Sequence, residues 1–406
     1  MPAQTLNSGS ILSWSDCVSL ASKNNPSLAS SGYSLQASRA SYSGSYNGIY
    51  PQINLFHSYS NTSNAVTGNG TNWQTGGSAS LNLFNQSQIS NIKTSQALLA
   101  QSEANLRQVS STLRYNLLTV FYQVLFSQKS IEVSQNILKL RENDSQLVAL
   151  RYDSGTEYKG DMLRAKAQLL QAKADLAQAI RNLRTAQRAL NQQLGLDDFT
   201  VLSVTSTLNI QEPGDMPKDE GSLLKSRPDV ALEEAVVESA QASLSQAKST
   251  LWPTLSANYS LASDGENEFS TGSPESQLGL SLSYPIFGQG VTATYFAVKT
   301  AKNNLEKARQ DLRSTINQAV LDIETNWSNF MGAIDQAKVQ AALLAAARTR
   351  NDEADIRYES GLLTYDSWEI IASDRINQER QAIQAQLNVM TAQAAWENSL
   401  GKLLNE

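Results

Sequence analysis

Arg151-Tyr152-Asp153-Ser154-Gly155 returns as Arg357-Tyr358-Glu359-Ser360-Gly361, with one conservative change. Each copy ends a long helix-patterned stretch and precedes another, so the 406-residue chain reads as two copies of one unit. Further landmarks pair at nearly the same spacing of roughly 200 residues. Asn25-Pro26 pairs with Arg227-Pro228, Tyr50-Pro51 with Trp252-Pro253, Leu83-Phe84-Asn85 with Ile286-Phe287-Gly288, and Leu194-Gly195 with Leu400-Gly401. Solenoid repeats have periods of roughly 20–50 residues, so this is a duplicated domain rather than a solenoid.

Each unit reads in one order: helix, two strands joined by a polar segment, long helix, turn, helix. The first spans 1–196, with strands at about 51–60 and 78–84 and long helices at about 87–154 and 161–194. The second spans 222–406, with strands at about 253–261 and 277–284 and long helices at about 290–360 and 366–403. The opening helices run from about Trp14 to Tyr46 and from about Leu223 to Thr250, and Pro51 and Pro253 end them because proline lacks an N–H and has a fixed φ. Between the units, 197–221 breaks the pattern. Val201, Val204 and Leu208 suggest a short strand or loop there and Pro213-Gly214-Asp215 a turn, forming a small lateral element with the chain ends.

The strands alternate with period two. Leu255, Ala257, Tyr259 and Leu261 alternate with Ser256, Asn258 and Ser260, and Leu278, Leu280, Leu282 and Tyr284 with Gly279, Ser281 and Ser283. Ile53, Leu55, His57 and Tyr59 share a parity, and Leu81 and Leu83 flank Asn82. Four such strands are too few for a self-standing sandwich. An oligomeric barrel with lipid outside and water inside uses the same alternation. Ser58–Gly77 and Ala262–Ser276, rich in Asn, Ser, Thr and Gly, read as exposed loops, the second with Asp264, Glu266 and Glu268.

The long helices carry heptads. Ile92, Leu99, Leu106, Leu113 and Val120 recur every seven residues, as do Leu169, Leu176, Leu183 and Leu190, interleaved with Ala165, Ala172, Ala179 and Ala186. Ile376, Ile383 and Met390 repeat the spacing. A helix from about Ser87 to Ser154 would be about 100 Å long at 1.5 Å per residue, which no compact domain accommodates. Helices packed side by side around a wet lumen account for two seams and two polar faces.

Composition excludes other classes. Aromatic residues are 7%, proline is only 9 residues, and a net charge of −6 leaves a nucleic-acid partner without electrostatic support. No run of apolar residues is long enough for a spanning helix, and no signal segment is visible; Leu117–Phe126 is too short and includes Gln123. Cys17 is the only cysteine, so no intrachain disulfide forms. It sits in Leu12–Leu20, which reads as the start of an amphipathic helix rather than a lipid-anchor site. His57 is the only histidine, which removes His-based triads and His-rich metal sites. Gly288-Gln289-Gly290 lacks the third glycine of a phosphate loop. No enzyme, cofactor or metal is expected.

Leu12–Ala21 with Asn24-Asn25-Pro26, the prolines Pro51 and Pro253, Phe84 and Phe287-Gly288, the two Arg-Tyr-x-Ser-Gly turns and the terminal Leu-Gly pairs together resemble the TolC-like outer membrane efflux proteins. The resemblance implies a mainly α fold with membrane β: a homotrimer in which each protomer gives four strands to a 12-stranded barrel continuous with a periplasmic α-helical barrel. It implies an exit duct in the bacterial outer membrane, set in outer membrane lipid and extending into the periplasm. A periplasmic adaptor (a membrane fusion protein) and an inner membrane pump would open it at its tip. It also places the two turns at that tip, so that Tyr152, Asp153, Ser154, Gly155, Ser360, Gly361, Leu362 and Leu363 would meet the adaptor. Gate or constriction candidates are Tyr358 and Asp161, which match a Tyr and an Asp of the family's closing network, with Arg151 and Arg357. The network's Arg position holds Leu363. Asp366 and Glu369, three apart on one helix face, read equally as an acid pair favoured by the helix dipole or as part of a cation-selective acidic ring. The alternative is a trimeric coiled-coil adhesin or structural spacer; strand pairs inside both halves favour the duct.

Overall fold

The computed structural model describes residues 10–64, 68–205, 223–224, 226–266, 268, 272–285 and 292–405. Phe287-Gly288, Gly288-Gln289-Gly290, Leu208 and the Pro213-Gly214-Asp215 turn lie outside those residues. The chain is mainly helical with two strand pairs. In order it forms β1 (Ile11–Leu12), α1 (Trp14–Asn24), α2 (Pro26–Ser45), a 3-10 turn (Tyr46–Ile49), β2 (Gln52–Asn64), β3 (Gly68–Asn85), α3 (Gln86–Asp153), α4 (Lys159–Leu194) and β4 (Ser203–Val204). The second half follows with α5 (Pro228–Ser249), β5 (Thr254–Gly265), β6 (Glu275–Ser283), α6 (Ala293–Glu359) and α7 (Tyr365–Ser399). Among the described residues no helix is long and apolar enough to cross a membrane. Two compact units emerge, one from Met1–Ser31, Arg107–Pro228 and Ile316–Glu406, the other from Gly32–Leu106 and Asp229–Thr315. Each draws on both sequence repeats.

In the first unit, α1 starts on a capping box. The Asp16 amide donates to Ser13 Oγ at 3.3 Å and the Ser13 amide to the Asp16 carboxylate at 2.9 Å, a pair worth about 1 kcal/mol. The single helix read from Trp14 to Tyr46 is two helices, broken at Asn25. Pro26 cannot donate an amide into α1, and Asn25 Oδ1 instead accepts the amides of Ser27 (3.0 Å) and Leu28 (3.1 Å) to cap α2.

The terminal Leu-Gly pairs serve these breaks. Gly195 ends α4 in the left-handed region (φ 69°), and a Cβ there would collide with the Asn24 carbonyl. Asn25 Nδ2 donates to the Gln193 carbonyl at 2.9 Å. In the second repeat Gly401 (φ 77°) approaches the same way, with a Cβ position 2.9 Å from the Ser226 carbonyl oxygen. There Arg227 replaces Asn25 and donates to the Ser399 carbonyl at 3.0 Å. One backbone junction is thus held by a short amide in one repeat and a long guanidinium in the other.

The core beside the first junction gathers Leu113, Leu117, Phe121 and Val124 of α3, Leu190 and Leu194 of α4, Cys17 and Leu20 of α1, and Leu202. β1 pairs in parallel with β4, Ile11 opposite Ser203 and Leu12 opposite Val204. On α4 the alanines of the heptad are buried, while Leu169, Leu176 and Leu183 are only half-buried. The small residues define the close seam within the chain.

The second unit holds an antiparallel sheet in the order β2-β3-β5-β6. Its register lines Ile53, Ala79, Tyr259 and Leu278 across one face and Asn54, Ser78, Ser260 and Gln277 across the other. Among the described residues nothing covers the apolar face: Leu55, Leu278, Leu280 and Leu282 are all more than two-thirds exposed. Ser58–Asn64 and Gly68–Gly77, expected as loop, are strand, with Tyr59 opposite Trp73. Their small polar residues suit a strand whose polar face is wet, and composition alone does not separate that from a turn. Ala262–Gly265 and Glu275–Ser276 are likewise strand. His57 lies on the apolar-parity face, stacked on Trp73 at 5.2 Å and in contact with Thr75 Oγ1 at 2.7 Å. A bulge at Leu83 interrupts the β3–β5 ladder, and Asn85 Oδ1 then accepts the Ser87 amide at 3.0 Å to start α3.

Candidate functional site

The two Arg-Tyr-x-Ser-Gly turns share one backbone. The Thr156 amide donates to the Arg151 carbonyl at 2.9 Å and the Gly155 amide to that of Tyr152 at 3.0 Å. The Leu362 amide donates to the Arg357 carbonyl at 2.8 Å and the Gly361 amide to that of Tyr358 at 3.0 Å. With Gly155 and Gly361 left-handed (φ 78° and 72°), both are Schellman ends. Asp153, Ser154, Gly155, Ser360, Gly361 and Leu362 are exposed at the turns, while Tyr152 and Leu363 are half-buried against the core beneath.

That core joins the two hairpins of the first unit. Tyr358 is fully buried among Val148 of α3, Met162 and Ala165 of α4, Ala354 of α6, and Tyr365 and Trp368 of α7. The Trp368 indole stacks on the Tyr358 ring at 4.5 Å with a 9° interplanar angle, and its Nε1 donates to Asp355 at 2.6 Å. Arg151 reaches across from α3. Its guanidinium lies 4.6 Å over the Tyr358 ring and donates to the Tyr358 carbonyl at 2.8 Å. The Tyr358 hydroxyl donates to Glu157 at 2.7 Å, and Glu157 lies 3.6 Å from Arg151 Nε. Burial first, then the Glu157 bond and charge, push the Tyr358 hydroxyl far above the usual tyrosine value.

The structure therefore puts Glu157, not Asp161, at the tyrosine hydroxyl. Asp161 sits in the first turn of α4, its carboxyl raised by burial and by the nearby charges of Glu157 and Asp366. Arg151 is the arginine that contacts Tyr358 across the two hairpins. Arg357, its repeat mate, is exposed and makes no ion pair among the described residues.

Below this, the acid pair divides. Glu369 is 5% exposed and Arg164 Nη2 reaches it at 3.1 Å. Ser373 Oγ donates to it at 2.6 Å, Gln168 also donates, and Arg141 stands 3.7 Å away. Asp366 stays exposed and meets Arg164 at 3.0 Å. Glu369 is thus the buried centre of a tie among α3, α4 and α7, not one of two matched acids on an open face. Arg141 also lies 3.5 Å from Asp144, whose carboxyl is pushed up to about 6 by burial, with Asp355 adding repulsion and Arg141 opposing. Burial, then the Glu369 charge, pushes the Tyr365 hydroxyl up to about 12. Glu157, Arg164, Arg141 and Trp368 were not singled out from sequence; their one signal is charge or aromaticity at positions whose repeat mates are Leu363, Ile370, Ala347 and Met162. Among the described residues no His, Cys, Asp and Glu cluster could hold a metal.

Each repeat supplies a long α-hairpin with a matched turn and one strand pair of the two-faced sheet, the pattern of an outer membrane channel chain. The chain matches the family described as outer membrane efflux protein over residues 17–196 and 221–402, and it belongs to that family. The family is one of channels, not enzymes. Toxin and drug export protein A of Aggregatibacter actinomycetemcomitans is 23% identical over 305 residues, 73% of this chain and 66% of that protein. The pyoverdine export outer membrane protein OpmQ of Pseudomonas aeruginosa is 30% identical over 147 residues, 35% of this chain and 30% of that protein. The chain thus spans under two-thirds of the length of either relative. The Campylobacter jejuni CmeC outer membrane channel shares the fold, with a TM-score of 0.86 at 16% identity over 96% of this chain and 85% of that one.

Proposed function

We propose that three copies of this chain form the exit duct of a tripartite export system in the outer membrane, joined at the periplasmic tip to an adaptor and an inner membrane pump. The observation that carries this is the four-stranded sheet. It has one bare aliphatic face, one polar face and two edges, β2 and β6, that find no strand partner among the described residues. Three copies closing edge to edge give twelve strands with the aliphatic face toward lipid and no open edge. The duct performs no covalent chemistry, and its mechanism is opening.

The gate lies at the two turns. Arg151, Tyr358 and Glu157 tie the second-repeat hairpin to the first, and Arg164 with Glu369 and Asp366 ties them again. Asp366 is the exposed acid of the pair, with the half-buried Asp161 and the exposed Arg357 as further charges near the turns. The adaptor engages the exposed turn residues, Asp153, Ser154 and Gly155 in one and Ser360, Gly361 and Leu362 in the other, with Tyr152 and Leu363 beneath. Native mass and planar-bilayer recording of the purified protein test the reading. A trimer that conducts in discrete steps is expected; a monomer, or a trimer that never conducts even with its ties removed, would overturn it.

A further inference from the structure

We infer that the chain holds one anionic phospholipid of the periplasm-facing leaflet in a cavity at the base of the sheet, its phosphate on Lys299 and Lys302 and its acyl chains against Leu251. The inference rests on the reading above that the sheet lies in the outer membrane. Thr254 of β5 pairs with Ser283 of β6, so the residues just before β5 and just after β6 share one end of the sheet. The two repeats differ there. In the first, α3 starts at Gln86, the residue after β3 ends; in the second, residues 284–292 stand between β6 and α6. Among the described residues a cavity of about 640 Å³ lies between Leu251 and the first turns of α6. Leu251, Tyr295 and Val298 supply its apolar part, and Lys299, Lys302 and Asn303 its polar part. Small-molecule sites commonly have volumes of roughly 300–1,000 Å³, so the space suits a headgroup with the first carbons of its chains.

Charge and position select the occupant. The chain has a net charge of −6, yet no Asp or Glu stands between Ser239 and Ser263. The first acid of α6 is Glu306, and Arg309 holds it at 2.9 Å. Lys299 and Lys302 are exposed, three apart on one helix face, and make no ion pair among the described residues. Lys299 Nζ stands 6.0 Å over the Tyr295 ring, which keeps the ammonium beside the apolar part of the cavity. Lys248, whose carbonyl accepts the Leu251 amide at 3.1 Å, adds a third cation without an ion pair among the described residues. The acids collect toward the opposite end of β5 and β6, at Asp264, Glu266, Glu268 and Glu275. Lysines alone would take any anion, but Leu251 and Val298 call for hydrocarbon beside it. Trp252 and Tyr284 are exposed at the same end of the sheet, as amphipathic rings are at a membrane surface. An anionic phospholipid meets all three demands: phosphate for the ammonium groups, chains for the apolar part, and a source in the bilayer that the sheet's aliphatic face already contacts.

The test is native mass spectrometry of the full-length protein, stripped of lipid in detergent and then given dioleoylphosphatidylglycerol or dioleoylphosphatidylcholine at equal concentration. One phosphatidylglycerol per chain is expected to stay bound while phosphatidylcholine dissociates. Lys299→Gln should weaken retention about five-fold, and Lys299→Gln/Lys302→Gln more than about tenfold. Leu251→Asp should release the lipid as well. Lys129→Gln, which removes a lysine paired with Glu132 on α3, should leave retention unchanged. Equal retention of the two lipids, or retention that survives the double lysine substitution, would overturn the inference. Displacement of the lipid by inorganic phosphate, with Leu251→Asp binding as well as the unmodified protein, would make this an anion site without a place for chains and overturn it too. A native trimer that keeps neither lipid, as when a neighbouring copy fills the cavity, would overturn the lipid site and leave the duct reading standing. A protein that is not trimeric by native mass would overturn the duct reading with it.

Discussion

The two Arg-Tyr-x-Ser-Gly turns have the same hydrogen bonds and opposite surroundings. In the first, Arg151 is spent on the ring and carbonyl of Tyr358; in the second, Arg357 points to solvent. Tyr358 is fully buried, while its mate Tyr152 is half-buried. Duplication preserved the backbone because the Schellman end needs only a left-handed glycine and a helix behind it. The side-chain environment was free to diverge, and it diverged into a polar, tied seam on one side of each hairpin and an apolar, bare one on the other.

The largest expected effect comes from removing the buried member of the pair. Tyr358→Ala should cost about 3–5 kcal/mol of local stability, since it empties the space against Trp368 and leaves Glu157 and Arg151 without their partner. Tyr152→Ala should cost roughly 1 kcal/mol or less in the same chain. Hydrogen exchange across α3 and α6 reads both. Equal losses would break the comparison.

A smaller effect sits deeper, at Asp144. Its folded carboxyl holds a proton up to about pH 6, whereas the ordinary value is 3.8. The folded state therefore binds more protons in that window, and stability falls as pH rises through it. Asp144→Asn should raise stability by roughly 1–3 kcal/mol at pH 7.5 and leave it unchanged at pH 3. The repeat mate is Arg350, so no corresponding gain exists in the second hairpin. Thermal unfolding at the two pH values measures it, and a gain that persisted at pH 3 would point to packing instead.

Much of this was legible in the chain, and the gaps have physical causes. The turns, the alanine rows and the alternation in β5 and β6 depend on local spacing, which sequence displays directly. The break at Asn25 lay inside a strongly helical stretch, where only the Asn25 cap and the approach of Gly195 distinguish an interruption from a helix that starts at Pro26. Ser58–Asn64 and Gly68–Gly77 have turn composition because a strand with one wet face needs no aliphatic residue there. Glu369 looked like an open acid beside Asp366. Its burial depends on Arg141, Arg164 and Gln168, which lie far away in sequence and reach it only through helix packing. Arg164 against Ile370 and Glu369 against Leu163 mark where the two repeats part in sequence.

In the proposed duct, the ties between the two hairpins of one chain hold the tip shut. Single-channel conductance of Arg151→Ala/Arg164→Ala in planar bilayers tests it most directly. Removing both ties should raise conductance severalfold over the unmodified trimer. A double variant that remains trimeric and conducts no more than the unmodified protein would contradict it.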